Sequence, residues 1–196
     1  MDEQALIAAA RRGDAQAFNQ LILQHQSLVF NVAYRMLHDV DGASDAAQTA
    51  FISAFRALSG FRGGSFKAWL LRIVTNACYD QLRAAKRRPT SSLDDLSVDP
   101  DYSATLIDRK ESPEQHAMRQ DLGRVIQLAL DELPADQKAT VILSDIQGLS
   151  YEEIAATTGV AVGTVKSRLS RGRAQLRDSL QQQQELLPQR YRHIGS

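Results

Sequence analysis

The chain has 196 residues, with 23 Lys and Arg against 23 Asp and Glu, 43% apolar and 6% aromatic residues. That length holds one ordinary domain or two small ones, and charges interrupt its apolar runs too often for any stretch of about 20 residues to span a bilayer. With a single cysteine, Cys78, and four scattered histidines (His25, His38, His116 and His193), neither an internal disulfide nor a structural metal site is expected. The opening MDEQALIAAARRGD has no apolar leader core, so no membrane insertion and a cytoplasmic location are expected.

In the first block, Phe18, Leu21, Ile22, Leu28, Val29, Val32, Met36 and Leu37 recur at three- and four-residue steps. This is the spacing of one apolar helical stripe. Asp14 stands at the N-cap position, and residues 38–44 read as a loop from their Asp and Gly content. A second helix carries Ala47, Ala50, Phe51, Ala54, Phe55 and Leu58 on one face. After a short loop holding Phe61 and Arg62 between glycines, Ser65 is placed to cap a third helix. Its inner face is Phe66, Trp69, Leu70, Ile73, Val74, Ala77 and Leu82, and Cys78 reads as a small buried apolar group.

The charge is unevenly distributed along the chain. Residues 1–88 hold 11 basic and 7 acidic side chains, residues 89–118 hold 2 and 7, and residues 119–196 hold 10 and 9. Residues 89–116 also lose periodicity and contain Pro89, Pro100 and Pro113, so they are expected to be an acidic flexible linker. Extended, such a linker would span roughly 90 Å and let the flanking blocks sit far apart. No period-2 strand is evident. The expected fold class is all-α: two small helical domains joined by an acidic flexible linker, the C-terminal one a helix-turn-helix. Their expected limits are 1–88, 89–116 and 117–182, with a tail over 183–196.

The C-terminal block carries the sharpest pattern. Ser150 and Glu153 have capping-box spacing. Ala155 is small where two helices must cross, Gly159 suits a left-handed turn, and Val160 and Val165 plug the angle between the helices. The second helix, expected over 164–173, would turn Val165 and Leu169 inward and Lys166, Ser167, Ser170 and Arg171 outward. This is the helix-turn-helix pattern, with donors suited to base edges in a major groove. Thr164, Arg168 and Arg173 are better placed for phosphates.

Two N-terminal stretches, DAAQTAFISAFRAL from Asp45 and FRGGSFKAWLLRIVTNACYD from Phe61, together with GLSYEEIA and GTVKSR in the C-terminal block, resemble bacterial sigma factors of the extracytoplasmic-function type. The resemblance covers roughly residues 5–88 and 117–178. It implies a protein that binds core RNA polymerase, directs it to a two-part promoter and helps open the DNA. By that resemblance Asp45, Gln48, Phe51 and Arg56 grip the polymerase clamp, while Thr49 stands where an acidic residue is usual. Phe61, Arg62 and Gly63 would lie in the loop that captures a flipped minus-ten base. Trp69, Arg72, Asn76, Asp80, Arg83 and Arg87 would lie along the melting segment, with Lys86 and Arg88 adding phosphate charge. Residues 164–173 would read the minus-thirty-five element. The resemblance also implies an anti-sigma partner and a monomeric free protein; for the acidic linker, with Asp94, Asp95, Asp99 and Asp101, it offers entry into the RNA-exit path as the alternative to plain solvated disorder. No nucleophile–base pair or phosphate-cradling loop suggests an enzyme, and no cofactor is expected. The alternative is a stand-alone helix-turn-helix regulator.

Overall fold

The computed structural model describes residues 2–87 and 113–182. Among these residues every regular element is helical: α1 (Glu3–Arg11), α2 (Ala15–Leu37), α3 (Val40–Ala57), α4 (Phe66–Arg87), α5 (Pro113–Asp131), α6 (Ala135–Val141), α7 (Tyr151–Thr158) and α8 (Val162–Gln182). A 3₁₀ turn, Leu58–Gly60, follows α3. A π-helical stretch, Ile142–Ile146, continues α6. No described helix is long and apolar enough to cross a membrane.

Local chemistry sets the helix starts. The Asp14 carboxylate accepts from the backbone N–H groups of Gln16 (2.9 Å) and Ala17 (3.1 Å), satisfying two donors that have no intrahelical partner. Ser65 does the same for the N–H of Ala68 at 3.1 Å. The expected loop over 38–44 is a correction: only His38 and Asp39 break the chain, and residues 40–44 are already helical. His38 closes α2 in the left-handed region at φ 53°, its N–H bonded to the Tyr34 carbonyl at 2.7 Å. Asp39 then caps α3 through the N–H of Gly42 at 2.9 Å. The Asp and Gly residues that suggested a loop are the capping apparatus of a helix.

Helices α1 to α4 form one block. Leu6, Leu21, Val29, Val32, Leu58, Leu70 and Val74 are fully buried between them. Helices α5 to α8 form a second block around Leu130, Ile142, Leu143, Ile154, Val165 and Leu169. Of the expected linker, residues 113–116 belong to α5, and the rest of it, with Arg88, lies outside the described residues together with the tail from 183.

The two blocks are packed against each other, with α4 against α7 and the end of α2 against α5 and α6, and most of their buried apolar residues form one continuous cluster. The reach of an extended linker would let the blocks sit far apart, and periodicity gives α4 a single inner face. In the structure Leu71, Thr75 and Cys78 are also fully buried, on a second face of the same helix.

Candidate nucleic-acid interface

Helices α7 and α8 build the first candidate surface. Ser150 Oγ accepts from the N–H of Glu153 (3.2 Å), and Glu153 Oε2 accepts from the N–H of Ser150 (2.9 Å), so two end donors are satisfied reciprocally. Gly159 ends α7 in the left-handed region at φ 70°. The Ala155 carbonyl accepts from both Gly159 (2.9 Å) and Val160 (3.2 Å), which turns the chain tightly into α8. Val165 and Leu169 are buried, and Lys166, Ser170 and Arg171 are exposed. Helix α8 starts before Thr164 and runs well past Arg173, so the reading helix is longer than the expected 164–173.

The remaining candidates on α8 are differently placed. Thr164 and Ser167 are half-buried, and the Ser167 hydroxyl donates to the Thr164 carbonyl at 2.9 Å. Arg171 lies back along the helix, 3.3 Å from the Ser167 carbonyl and 3.4 Å from its hydroxyl. Arg168 pairs with Asp136 of α6 at 2.5 Å. Arg173 is held in a fork by Asp145 (2.9 and 2.5 Å), with Ser144 at 3.3 Å. The hydrogen bond from Arg173 holds the Asp145 carboxyl below its ordinary range. Arg168 and Arg173 thus fasten α8 to its own block.

The second candidate surface is on α4. Arg72, Asn76, Asp80, Arg83 and Arg87 recur at steps of three and four residues and are all exposed, forming one stripe. Asp80 and Arg83 pair at 3.1 Å, and Arg87 Nε donates to the Arg83 carbonyl at 3.3 Å. Trp69 is half-buried at the upper end. The Phe61 ring is only 5% exposed, packed against Trp69 (5.2 Å between centroids) and Phe66 (5.7 Å). Phe61 therefore supports the loop from beneath. What the loop offers to solvent is Arg62, with Gly63 and Gly64 at φ 97° and 89°.

A third surface lies on α3. Asp45, Gln48, Thr49 and Arg56 are exposed along one side, while Phe51 is half-buried. Periodicity sets Phe55 on the same face as Ala50 and Ala54 and gives Ile52 no role. Phe55 and Ile52 both belong to this exposed stripe, at 49% and 46% exposure, with Phe55 resting on Phe18 at 5.0 Å between centroids. Exact helical spacing from Asp45 through Gln48, Ile52 and Phe55 was the available signal, hidden because aromatics at helical spacing usually pack inward.

Comparison with known proteins accounts for the coincidence of these surfaces on one chain. The family description sigma-70 region 2 matches residues 21–88, and sigma-70 region 4 matches residues 123–176. The chain is 37% identical to the RNA polymerase sigma-H factor of Pseudomonas aeruginosa, across 91% of this chain and 94% of that one. It is 36% identical to the ECF RNA polymerase sigma-E factor of Escherichia coli K12, across 92% and 95%. A 42% identity to the ECF RNA polymerase sigma factor SigE of Mycolicibacterium smegmatis covers 84% of this chain and 62% of that longer one. Among solved structures, CnrH in complex with the cytosolic domain of CnrY matches with a TM-score of 0.64 at 28% identity, covering 91% of this chain and 96% of that one. The sigma factor RpoE bound to the anti-sigma factor NepR, from Bartonella quintana, matches at 0.65 and 28%, covering 85% and 98%.

Proposed function

The chain belongs to the extracytoplasmic-function RNA polymerase sigma factors, and from that membership we propose a division of labour among its surfaces. A sigma factor directs RNA polymerase to promoters. Here the block formed by α1 to α4, residues 1–88, binds core polymerase and handles the minus-ten element, and the block over 117–182 reads the minus-thirty-five element. The observation that carries this reading is the presence, on one chain, of an exposed basic stripe along α4 and a helix-turn-helix whose second helix exposes Lys166, Ser170 and Arg171.

The roles follow from exposure and chemistry. Lys166 and Arg171 donate to base edges in the major groove, and Ser170 donates or accepts. Thr164 at the start of α8 faces a phosphate, where the helix N-terminus favours an anion. Ser167, Arg168 and Arg173 position α8 rather than read sequence. Arg72, Arg83 and Arg87 neutralise phosphates beside the opening duplex, and Asn76 lies where it can bridge a base edge and the backbone. Arg62, Gly63 and the Phe61-supported loop take the flipped base, with Trp69 flanking the unpaired strand. On α3, Asp45, Gln48, Arg56 and the apolar Ile52 and Phe55 form the polymerase-binding face, backed by Phe51. An apolar centre ringed by polar groups is the usual make-up of a stable protein interface. The protein performs no covalent chemistry of its own and acts by binding. An anti-sigma protein is its expected regulator, supported by the complex of the similar sigma factor RpoE with the anti-sigma factor NepR.

Run-off transcription by purified core polymerase on a library of upstream sequences tests the reading. Specific transcripts that require the protein are expected, and their start-site alignment will give both promoter elements. Silence from core polymerase, with sequence-specific duplex binding by the protein alone, would instead establish a stand-alone helix-turn-helix regulator.

A further inference from the structure

We infer that a polar latch centred on Asp131 holds the two helical blocks of the free chain together, so that its two DNA-reading faces cannot engage separate promoter elements until the latch opens. The latch itself follows from the contacts below; its consequence for promoters rests on the function proposed above.

Asp131 is the last residue of α5. Within its own block it accepts from Lys138 Nζ at 2.7 Å and from Gln127 Nε2 at 3.1 Å. Across the block boundary it pairs with Nδ1 of His38, the residue that closes α2. The two side chains it organises also reach across. Lys138 Nζ lies 3.4 Å from the Met36 carbonyl, and Gln127 Nε2 donates to the Arg35 carbonyl at 3.2 Å.

The chemistry of this arrangement is complementary. The last carbonyls of a helix have no intrahelical donor, and that end of the helix carries partial negative charge. A lysine and an amide from the other block supply donors there. Lys138 is 8% exposed, an unfavourable place for a charge unless it is paired. Asp131 provides the pairing and fixes the direction of both donors. A separate contact reinforces the latch: Lys67, at the start of α4, donates to the Gln147 carbonyl at 2.7 Å, just past the π-helical stretch.

Between these two polar anchors the second face of α4 is covered. On a helical wheel Leu71, Thr75 and Cys78 fall between Lys67, which touches Gln147, and Tyr79, which lies within electrostatic reach of Asp136 and Arg168. All three are fully buried, and Thr75 Oγ1 has no hydrogen-bond partner there. A hydroxyl left unsatisfied in the closed form is better served in water, which lowers the cost of opening.

The closed form leaves Arg72, Asn76, Lys166 and Arg171 exposed. The latch therefore does not act by covering the DNA-reading faces. It acts on their separation. Elements named minus ten and minus thirty-five lie about 25 base pairs apart, roughly 85 Å along the duplex. A compact folded chain of this size is roughly 40 Å across. Two faces on blocks that share a buried cluster cannot reach both elements, and the avidity of a two-site reader is lost.

The test uses the full chain without DNA or polymerase. His38→Ala combined with Lys67→Met removes two cross-block contacts and leaves the Asp131–Lys138 pair intact. Small-angle X-ray scattering should show a compact wild-type chain and an expanded variant, with helical content by circular dichroism unchanged. Cys78, the chain's single thiol, should react with a thiol reagent at least tenfold faster in the variant. An Asp131→Asn chain, which keeps the side-chain shape, should expand as well. Scattering that stays compact in both variants, or a wild-type chain that is already extended, overturns the latch. Opening seen in scattering but no transcription with core polymerase would retain the latch and remove its promoter role.

Discussion

Cys78 and Tyr79 are neighbours on α4, and both are acids made harder to ionise by the packing of the second block. Burial pushes the thiol up to about 12 from 9.0. The Tyr79 hydroxyl is likewise pushed up to about 12 from 10.0, by burial first and then by the nearby Asp136 carboxylate. A group whose folded pKa lies above its unfolded value contributes fully below the unfolded value, and the contribution is lost as pH rises through the folded one. The unfolded chain gives up these protons first, so stability should fall between about pH 9 and pH 12. Each group steepens the fall by at most about 1.4 kcal/mol per pH unit. Chemical denaturation at stepped pH checks this: Cys78→Ala and Tyr79→Phe should each flatten the alkaline limb and leave the neutral-pH slope unchanged. The same burial makes the thiol a poor nucleophile at neutral pH, as its reading as a small apolar group anticipates.

At the scale of elements, glycines in two helices make opposite predictions from the same substitution. A methyl group at Gly123, in α5, would meet nothing within 4 Å. One at Gly172, in α8, would meet Val141 Cγ2 at 2.9 Å. Replacing a helical glycine by alanine gains about 0.8–1 kcal/mol of propensity, so Gly123→Ala should raise the melting temperature. At Gly172 the methyl group presses on a buried, β-branched side chain of α6. Overpacking of that kind costs about 1–3 kcal/mol, so Gly172→Ala should melt lower than wild type. What the sequence could convey follows the same division between local and distant causes. The caps at Asp14, Ser65 and Ser150–Glu153, and the turn at Gly159, depend on neighbours within a few residues, and all could be read from spacing. Residues 40–44 could not, because a capping Asp and a loop Asp look alike until the N–H they serve is known. Phe55 and Phe61 exchanged the places expected of them: a helix-spaced aromatic lies on the surface, and a loop aromatic lies in the core. Burial of Leu71 and Thr75 depends on the second block, whose α7 packs on α4 from more than 70 residues away in sequence, and no local pattern carries that information; Cys78 is legible from its residue type alone.

For the whole molecule, a formal charge of zero conceals two cationic surfaces, one along α4 and one along α8. Net charge therefore says little about DNA affinity, whereas the arrangement of arginines predicts its salt dependence. Each phosphate neutralised contributes about 0.9 to the slope of log affinity against log salt. In the polymerase-bound protein, Arg72→Ala or Arg83→Ala should reduce that slope by about one unit and weaken binding to all promoters alike. Arg171→Ala should instead cost about 1–3 kcal/mol at one base pair and little where that pair is already wrong. Arg173 supplies the contrast. Its guanidinium is engaged by Asp145 and Ser144, and its side chain is 46% exposed. Arg173→Ala should leave the salt slope unchanged and lower the stability of the second block by no more than about 1 kcal/mol, as expected of a partly exposed pair. Fluorescence anisotropy at several salt concentrations, on promoters altered one base pair at a time, separates the three behaviours. A position-specific loss from Arg72 would move that residue from the phosphates to a base edge, and a reduced slope from Arg173 would show that DNA draws it away from Asp145. Either result would redraw the division between the arginines that hold α8 in place and those that meet the nucleic acid.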